Sequence, residues 1–569
     1  MSQLKRYFVV FLVLMILCVI RFAEFGENTE SIESFRGAAL LEEDFNPLIA
    51  SSVNEKQVKL KIDNKEYNND TSSIYMNDDL SLMVPISLLS EGLNCSVQLY
   101  DQRELFVEKR NDVIVSDLNS DLIQVNGSPV AVNTPMIKKD NEYFVSLEDI
   151  SEHIGYSYSW DIEENQAVAV DEDAGDSILP SSYDLRQRGR VGTVKDQGLT
   201  GTCWAFAALT ALESDSRPEL SDSFSVDHMF RQNSFAVNET DGGEYTMGMA
   251  YLLSWKGPVL DVDDPFGDGA SDGSLEAVQH VQEVQMIEGK NYEKIKEAVF
   301  KYGGVDTALY SALDGGEGES GFYNEQNQAY CYLGTEKPNH EVVIVGWDDN
   351  YPKENFSVNV QGDGAFICQN SWGDGFGDEG FFYVSYYDTN IGSHNVVYTR
   401  VDDTDNYDKI YQADLCGWVG QIGFGKSSVY AANTYVAEDK EQIRAAGFYA
   451  TGANTEYELY IVKNFTGVDS LVSKRKIAAG TLTNAGYYTI DFDTPVNVEE
   501  GEKYAIILYI NTPDSEHPLA IEYVADEATA TVDITDGEGY VSATGLAWDS
   551  IETKSSANIC LKVYADVLE

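Results

Sequence analysis

The residue whose surroundings best suit chemistry is Cys203, which stands where glycine and threonine give way to a helical pattern. Phe206, Leu209 and Leu212 recur every three residues and predict one buried helix face, which places Cys203 in the first turn. The free N–H groups of a first turn stabilise an anion, and an adjacent imidazolium lowers a thiol pKa to roughly 3–4. This position therefore favours a nucleophilic thiolate.

Two later segments contain the side chains that such a thiolate needs. His340 leads an apolar run that ends at Trp347, and Asn370 opens a segment that continues with Ser371 and Trp372. An imidazole can take the thiol proton and return it to a leaving group, and an amide can orient that imidazole through its other nitrogen. The three segments together predict nucleophilic catalysis by Cys203.

In their order and spacing these segments resemble the papain-like cysteine peptidase family, from about residue 179 to about residue 397. The resemblance implies a two-lobed fold with a helical lobe and a β-barrel-like lobe. It implies that Cys203 is the nucleophile, that His340 is its proton partner and that Asn370 orients the imidazole. Gln197 then supplies a side-chain donor that stabilises the tetrahedral oxyanion together with the backbone N–H of Cys203.

The same resemblance implies which residues surround the substrate. Gly242 and Gly243 match the segment whose backbone pairs with an extended polypeptide, and Tyr245 lies near the pocket for the second residue before the scissile bond. Trp372 is expected to shield the hydrogen bond between His340 and Asn370 from water. Protein or peptide substrates are the expected partners.

The sequence departs from the family pattern in three places. Thr200 and Thr240 stand where many members carry a bridged pair of cysteines, so that disulfide is absent. Asn370 follows His340 by 30 residues, which is long for the family, and residues 349–364 are expected to form a surface loop in this gap. The helical prosegment motif of the eukaryotic members is not found.

The remaining cysteines and histidines are expected to be structural, and we predict neither a metal nor a cofactor. Outside Cys18 and Cys203, the cysteines are odd in number and lack CxxC spacing, which removes support for zinc and iron–sulfur sites; they are Cys95, Cys331, Cys368, Cys416 and Cys560. The acidic segment 261–273 lacks EF-hand spacing, and we interpret it as a solvated loop.

Residues 56–172 contain a weak internal repeat in which Val84 corresponds to Val145, and each copy has the pattern strand, short helix, strand. This small α/β repeat domain resembles the copper-amine-oxidase N-terminal-like domain of exported bacterial proteins. The segment contains a single histidine, His153, so the resemblance implies no copper site. We interpret it as a spacer or interaction module.

Residues 405–569 consist of short alternating segments separated by Gly, Asn and Asp turns, which is typical of an all-β sandwich. The segment resembles the lectin-like domain attached to some bacterial cysteine peptidases. A cell-wall or glycan ligand is the corresponding expectation. Trp418 and Trp548 are expected to fill the sandwich core more readily than to stack on sugars.

The first residues predict export. Lys5 and Arg6 precede fourteen apolar residues, 7–20. This pattern predicts that residues 1–26 are either a signal peptide or a membrane anchor, and both alternatives stay open. An acidic linker is predicted at 27–55. We therefore expect a secreted or cell-surface protein, and the formal net charge of −57 argues against a nucleic-acid partner.

The expected protein is thus α+β, with a papain-like domain at 173–404 between the two flanking domains. An exported cysteine peptidase is the leading hypothesis. One alternative is a cell-surface adhesive or glycan-binding protein with a non-essential peptidase scaffold. Another is acyl transfer to an amine, as in transglutaminases, although those enzymes typically place Asp where Asn370 stands.

Overall fold

The computed structural model describes residues 58–568, apart from 64, 69–72, 78–80, 111, 140, 162–165, 172–178, 219 and 313–319. The predicted signal or anchor segment, 1–26, and the acidic linker, 27–55, lie outside the described residues. Within the described part, none of the helices combines the length and the apolar character needed to cross a bilayer.

The N-terminal unit, residues 59–171, consists of three small sheets and two short helices. Its strands are β1 (Lys59–Ile62), β2 (Lys65–Asn68), β3 (Tyr75–Met76), β4 (Leu82–Pro85), β5 (Ser96–Tyr100), β6 (Glu104–Lys109), β7 (Asp112–Asp117), β8 (Leu122–Val125), β9 (Ser128–Ala131), β10 (Ile137–Lys139), β11 (Glu142–Ser146), β12 (Tyr156–Asp161) and β13 (Gln166–Asp171). Its helices are α1 (Ile86–Gly92) and α2 (Leu147–Ser151).

The internal repeat is visible in the strand register of this unit. Strands β4 and β11 pair antiparallel with Val84 opposite Val145, so the two repeat-related positions are cross-strand neighbours. Each strand leads directly into its helix, and both valines are buried. The repeat therefore builds one shared core rather than two separate ones.

The central unit, residues 182–402, has a helical lobe and a strand lobe. Its strands are β14 (Ser182–Asp184), β15 (His280–Met286), β16 (Val305–Leu309), β17 (Tyr323–Asn324), β18 (Ala329–Tyr330), β19 (His340–Asp348), β20 (Ala365–Gln369), β21 (Phe381–Ser385) and β22 (Asn395–Asp402). Its helices are α3 (Cys203–Ser216), α4 (Val226–Gln232), α5 (Tyr245–Leu253) and α6 (Tyr292–Lys301).

Helix α3 lies at the centre of this unit, packed against α5 on one side and β19 on the other. Phe206, Leu209 and Leu212 are buried as predicted, but so is nearly every other residue from Trp204 onward. The prediction of a single buried face is therefore wrong. Because the helix is enclosed by both lobes, even Glu213 is covered, and its carboxylate accepts from Lys195 Nζ at 2.9 Å.

The C-terminal unit, residues 409–567, consists almost entirely of strands. They are β23 (Lys409–Tyr411), β24 (Gly420–Ile422), β25 (Ser428–Val436), β26 (Glu441–Ala450), β27 (Thr455–Val462), β28 (Arg475–Leu482), β29 (Ala485–Val498), β30 (Lys503–Asn511), β31 (Leu519–Tyr523), β32 (Gly539–Ser542), β33 (Asp549–Ser550), β34 (Ala557–Ile559) and β35 (Leu561–Val567). Its described residues also form one short α-helix, α7 (Ile551–Ser555), and a 3-10 turn at Val468–Val472.

The central and C-terminal units share one sheet. Strand β15 pairs with β22 of its own unit and, on its other edge, with β29, where Val284 lies opposite Tyr487 and Met286 opposite Ala485. The described sheet therefore continues from the central unit into the C-terminal unit through backbone hydrogen bonds. Sequence patterns did not predict this junction, because strand periodicity does not reveal which edges pair.

The predicted surface loop between His340 and Asn370 is partly buried. Tyr351, Phe356 and Val360 form a small apolar cluster with neighbouring strand residues. The insertion is anchored on the strand lobe by this cluster, which limits its freedom.

Candidate active site

Cys203 is the first residue of α3, after Thr202 at the N-cap. Its side chain is half-buried, whereas the other cysteines of the described part, Cys95, Cys331, Cys368, Cys416 and Cys560, are buried. Position and exposure thus distinguish Cys203 from every other described cysteine. A thiol at this place meets the outward N–H groups of the first helical turn.

His340 and Asn370 come together because their strands are neighbours. His340 begins β19, Asn370 follows the last residue of β20, and the two strands pair antiparallel. The imidazole Nε2 donates to the Asn370 side-chain oxygen at 2.7 Å, and that oxygen also accepts from the backbone N–H of Ser371 at 2.8 Å. Nδ1 is then the nitrogen left for proton exchange with a reacting group.

Trp372 covers this hydrogen bond. Its ring stacks on the His340 imidazole with centroids 4.7 Å apart and an interplanar angle of 26°. His340 and Asn370 are both buried. A hydrogen bond shielded in this way gains strength because water does not compete for its donor or acceptor.

Burial dominates the electrostatics of the thiol and the imidazole. It lowers the pKa of His340, an effect opposed by the hydrogen bond to Asn370. It raises the pKa of the Cys203 thiol to about 11, although the backbone N–H groups of Glu341 and Trp204 act in the opposite direction. The low thiol pKa expected from the sequence is therefore wrong for this state of the site.

The physical reason lies in the partner of the thiol. A cation beside the sulfur lowers a thiol pKa, and the prediction of a low value depended on an imidazolium in that place. The hydrogen bonds found among the described residues do not include one between Cys203 Sγ and His340, whose lowered pKa favours a neutral ring. The sulfur lies instead against the backbone N–H of Glu341, the residue that directly follows His340.

Gln197 is buried next to these residues and is held from both ends of its amide. Its Nε2 donates to the backbone oxygen of Thr200 at 2.7 Å, and its side-chain oxygen accepts from Ser371 Oγ at 2.6 Å. An amide nitrogen carries two hydrogens, so one N–H can still point to another acceptor. Sequence reasoning missed Ser371, although it directly follows Asn370.

Gly242 and Gly243 form a wall beside the start of α3. A Cβ on Gly243 would lie 2.4 Å from the indole nitrogen of Trp204, and a Cβ on Gly201 would lie 2.6 Å from the backbone nitrogen of Gly242. The wall therefore lies against the nucleophile-bearing segment too closely for a side chain at Gly243 or Gly201, whereas a Cβ on Gly242 would meet no atom within 4 Å. Tyr245 begins α5 just beyond it.

A cluster of titratable side chains that the sequence did not predict lies between Tyr245 and Cys203. The Tyr245 ring stacks on His394 at 4.5 Å, and His394 Nε2 lies 3.0 Å from a carboxylate oxygen of Glu341. Asp306 is fully buried next to Glu341, which raises the pKa of Asp306 through burial first and the Glu341 charge second. The sequence signal for this cluster was Glu341, a carboxylate within the otherwise apolar run that follows His340.

These groups do not form a metal centre. Within the described ranges, no set of three or more His, Cys, Asp or Glu side chains is arranged to hold a metal ion. The arrangement can move protons, since it brings a thiol, an imidazole and amide donors into one part of the molecule.

Segments of the chain match three protein families. They are the papain family cysteine protease over residues 179–400, the lectin like domain over residues 410–565 and the copper amine oxidase N-terminal domain over residues 61–169. The three resemblances drawn from the sequence are confirmed.

Curated relatives match the central unit. Cathepsin S of Bos taurus is 27% identical over 226 residues, which cover 38% of this chain and 62% of that protein. Pro-cathepsin H of Mus musculus is 28% identical over 262 residues, covering 43% of this chain and 74% of that protein. The chain spans less than two thirds of the length of cathepsin S.

A solved structure matches two units together. The clostridial cysteine protease Cwp84 after propeptide cleavage superimposes with a TM-score of 0.61 at 25% identity, covering 68% of this chain and 99% of that one. A second structure, of the cysteine protease and lectin-like domains of Cwp84 from Clostridium difficile, gives 0.59 at 24% identity and covers 68% and 89%. Its description calls Cwp84 a surface layer associated protein. The predicted α+β class with a papain-like and a lectin-like part is confirmed.

Proposed function

We propose that this chain, whose residues 179–400 form a papain family cysteine protease domain, hydrolyses peptide bonds with Cys203, His340 and Asn370 as its catalytic triad. The observation that carries the proposal is the shielded hydrogen bond of 2.7 Å between His340 Nε2 and Asn370. It leaves Nδ1 for proton exchange beside the segment that contacts the Cys203 thiol. This position supports His340 as the proton partner of the thiol, and catalysis then needs Nδ1 to come within hydrogen-bond reach of the sulfur.

Acylation follows from these positions. The Cys203 sulfur bonds to the peptide carbonyl carbon as its proton passes to His340 Nδ1, and the carbonyl π electrons move to oxygen. The second N–H of Gln197 and the backbone N–H of Cys203 stabilise that oxyanion. The oxyanion then collapses, the C–N bond breaks, and His340 gives its proton to the leaving amine.

Deacylation uses the same groups in reverse. Water attacks the thioester carbon while His340 Nδ1 takes one of its protons, and a second oxyanion forms at the same donors. When the C–S bond breaks, sulfur recovers the proton from His340, and the amino-terminal fragment leaves as a carboxylic acid. Cys203 is thereby regenerated.

The substrate lies along the Gly242 and Gly243 backbone in this proposal. These glycines lie against the start of α3, so a strand paired with them passes the thiol. Tyr245, directly beyond, would contact the second residue before the scissile bond. Backbone groups of this kind accept extended peptides of many sequences, because main-chain hydrogen bonds do not depend on the substrate's side chains.

We further propose that the protein acts outside the cytoplasm, either released or held by its first residues. The predicted export segment supports this location, as does the similarity to Cwp84, described as surface layer associated. The lectin-like match at 410–565 supports a glycan or cell-wall ligand for the C-terminal unit. Retention of the chain on purified cell-wall polysaccharide measures that binding.

Digestion of a defined peptide mixture tests the proposed hydrolysis. We expect wild-type protein to cleave peptides to products with free carboxyl ends and Cys203→Ala to leave them intact. Cys331→Ala, at a buried cysteine, is the matched control and should retain cleavage. Cleavage by Cys203→Ala at the wild-type rate would refute the proposal. Products coupled to an added amine in place of free acids would identify acyl transfer instead.

A further inference from the structure

A cavity of about 980 Å³ lies between the central unit and the C-terminal unit, next to the proposed substrate wall. Gly242, Gly243 and Tyr245 line its near side, and Trp418 and residues 525–529 line its far side. The wall that lies against the nucleophile segment therefore also lines this cavity. The near side belongs to the papain-like part, and the far side to the lectin-like part.

The two sides are fixed to each other by direct bonds. The backbone N–H of Ala236 donates to the backbone oxygen of Ala528 at 2.7 Å, and the Cys416 thiol lies 3.4 Å from the backbone oxygen of Ser234. Thr531 Oγ1 also donates to Ser234. Met286, which lines the cavity, ends the strand that pairs with β29. The cavity is thus a built feature of the shared fold.

The cavity lies on the outer side of the Tyr245 ring. His394 stacks on Tyr245, and Glu341 contacts His394, yet neither His394 nor Glu341 is among the residues that line the cavity. Tyr245 therefore separates the buried cluster beneath the catalytic groups from the open space beyond. An extended chain advances roughly 3.3 Å per residue. A bound substrate whose second residue before the scissile bond contacts Tyr245 therefore places its third or fourth residue in the cavity.

The lining combines an apolar floor with an acidic rim. Trp418, Tyr449, Met249 and Met286 supply the floor. The rim contains four carboxylate side chains and no lysine or arginine; they belong to Asp241, Glu244, Asp526 and Glu527. This pairing of surfaces complements a side chain that has a long apolar stem and a cationic head, as lysine and arginine do.

We infer that this cavity is an extended substrate subsite, built jointly by the two units, that selects lysine or arginine at the third or fourth residue before the scissile bond. The inference rests on the proposed peptidase function, because it uses the substrate path along Gly242 and Gly243. It assigns to the C-terminal unit a part in substrate selection that is separate from any glycan it binds.

A pair of peptides tests the inference in the full chain. They share one cleavage site and differ in carrying lysine or norleucine at the third and fourth positions before it. We expect wild-type kcat/KM to favour the lysine peptide by about tenfold, and the double variant Asp526→Asn, Glu527→Gln to reduce that ratio to about twofold. The asparagine keeps the oxygen that accepts from the Thr529 backbone N–H.

The matched control removes two charges elsewhere on the same unit. Glu499→Gln, Glu500→Gln changes exposed residues that do not line the cavity, and the lysine preference should stay at the wild-type ratio. An unchanged preference in Asp526→Asn, Glu527→Gln would overturn the inference, and so would equal cleavage of both peptides by wild type. If wild type cleaves neither peptide nor the defined mixture, the proposed function itself fails.

A second variant tests whether a sugar, rather than a peptide side chain, occupies the cavity. Trp418→Ala removes the largest floor side chain, and we expect it to lower kcat/KM for the lysine peptide about fivefold more than for the norleucine peptide. Binding of purified polysaccharide that is lost in Trp418→Ala, with the peptide ratio unchanged, would assign the cavity to sugar and overturn the inference.

Discussion

Ser371 shows how a residue outside the triad fixes the geometry of the site. Its Oγ donates to the side-chain oxygen of Gln197, and its backbone oxygen accepts from the Gln197 N–H at 2.8 Å. Its own backbone N–H donates to Asn370. The proposed oxyanion donor and the residue that orients the imidazole are therefore linked through a single serine.

Ser371→Ala is expected to lower kcat about fivefold to tenfold with little change in KM, because about 1 kcal/mol of hydrogen bonding no longer orients Gln197. Steady-state kinetics measures the split, and Ser371→Thr should restore most of kcat because it keeps the hydroxyl. An equal loss in both variants would show that packing, rather than the hydroxyl, controls the rate. Gln197→Ala should cost more, roughly 100–1000-fold.

Asp306 is expected to make the free energy of unfolding fall as pH rises. Its two oxygens contact no N–H donor among the described residues, and burial, the Glu341 charge and a side-chain hydrogen bond with Glu341 raise its pKa. In the unfolded chain the group ionises near 3.9, so above that pH the unfolded state releases a proton that the folded state retains. Its contribution to stability is therefore full at low pH and falls as pH rises toward the folded pKa.

Asp306→Asn removes this dependence because the amide does not ionise. We expect the melting temperature of the variant relative to wild type to be higher at pH 8 than at pH 5. Asp403→Asn, at an exposed residue, should show the same difference at both pH values. A variant that loses more stability at pH 8 than at pH 5 would show that Asp306 is ionised in the folded protein.

At the scale of elements, the sequence predicted the start of α3 but not its surroundings. The change from Gly201 and Thr202 to an apolar helical run predicts a helix near Cys203, and the helix begins at that residue. Its burial on nearly all sides depends on α5 and β19, which are distant in sequence. The spacing of apolar residues in a helix indicates one buried face, and it does not show whether another element packs on the opposite face.

The same limit separates the predicted site residues from those that were missed. His340 and Asn370 meet because two strands joined by one loop pair with each other, and each residue has a recognisable segment around it. Glu341, Asp306 and His394 meet only through strand pairings across the sheet. A single sequence contains no local signal for such pairings.

Gly243 tests the packing of α3 against the substrate wall. A Cβ there would lie 2.4 Å from Trp204 Nε1 and 2.6 Å from Cδ1, so Gly243→Ala must displace the indole next to Cys203. We expect kcat/KM to fall at least tenfold and the melting temperature to drop by several degrees, as overpacking typically costs about 1–3 kcal/mol. Gly321→Ala, where a Cβ meets no atom within 4 Å, is the control. Unchanged activity in Gly243→Ala would separate this wall from the catalytic groups.

At the scale of the whole molecule, the pairing of β15 with β29 joins two units that the sequence presents as separate. The largest apolar core contains residues of both, including Tyr449 and Tyr487 of the C-terminal unit. Removal of either unit would expose this core and leave an unpaired strand edge. We therefore expect residues 179–568 to unfold in one cooperative transition.

Gly486 lies at this junction, where its backbone has φ of +142° and a Cβ would lie 2.1 Å from the Val284 oxygen. Gly486→Ala should lower the melting temperature and divide the calorimetric transition into two, because it separates the paired strands. Gly501→Ala is the control, because Gly501 has a positive φ of +76° but a Cβ there makes no close contact. It should lower the melting temperature less and leave a single calorimetric transition. Equal effects would show that the junction does not couple the units.

Covalent labelling with a thiol-directed epoxide tests whether Cys203 is the nucleophile, because the other described cysteines are buried and act as internal controls. Among the described cysteines, the predicted result is a label on Cys203 alone, mapped by peptide mass spectrometry, with peptide hydrolysis falling in proportion to labelling. Full labelling of Cys203 with undiminished hydrolysis would show that its thiol is not the nucleophile.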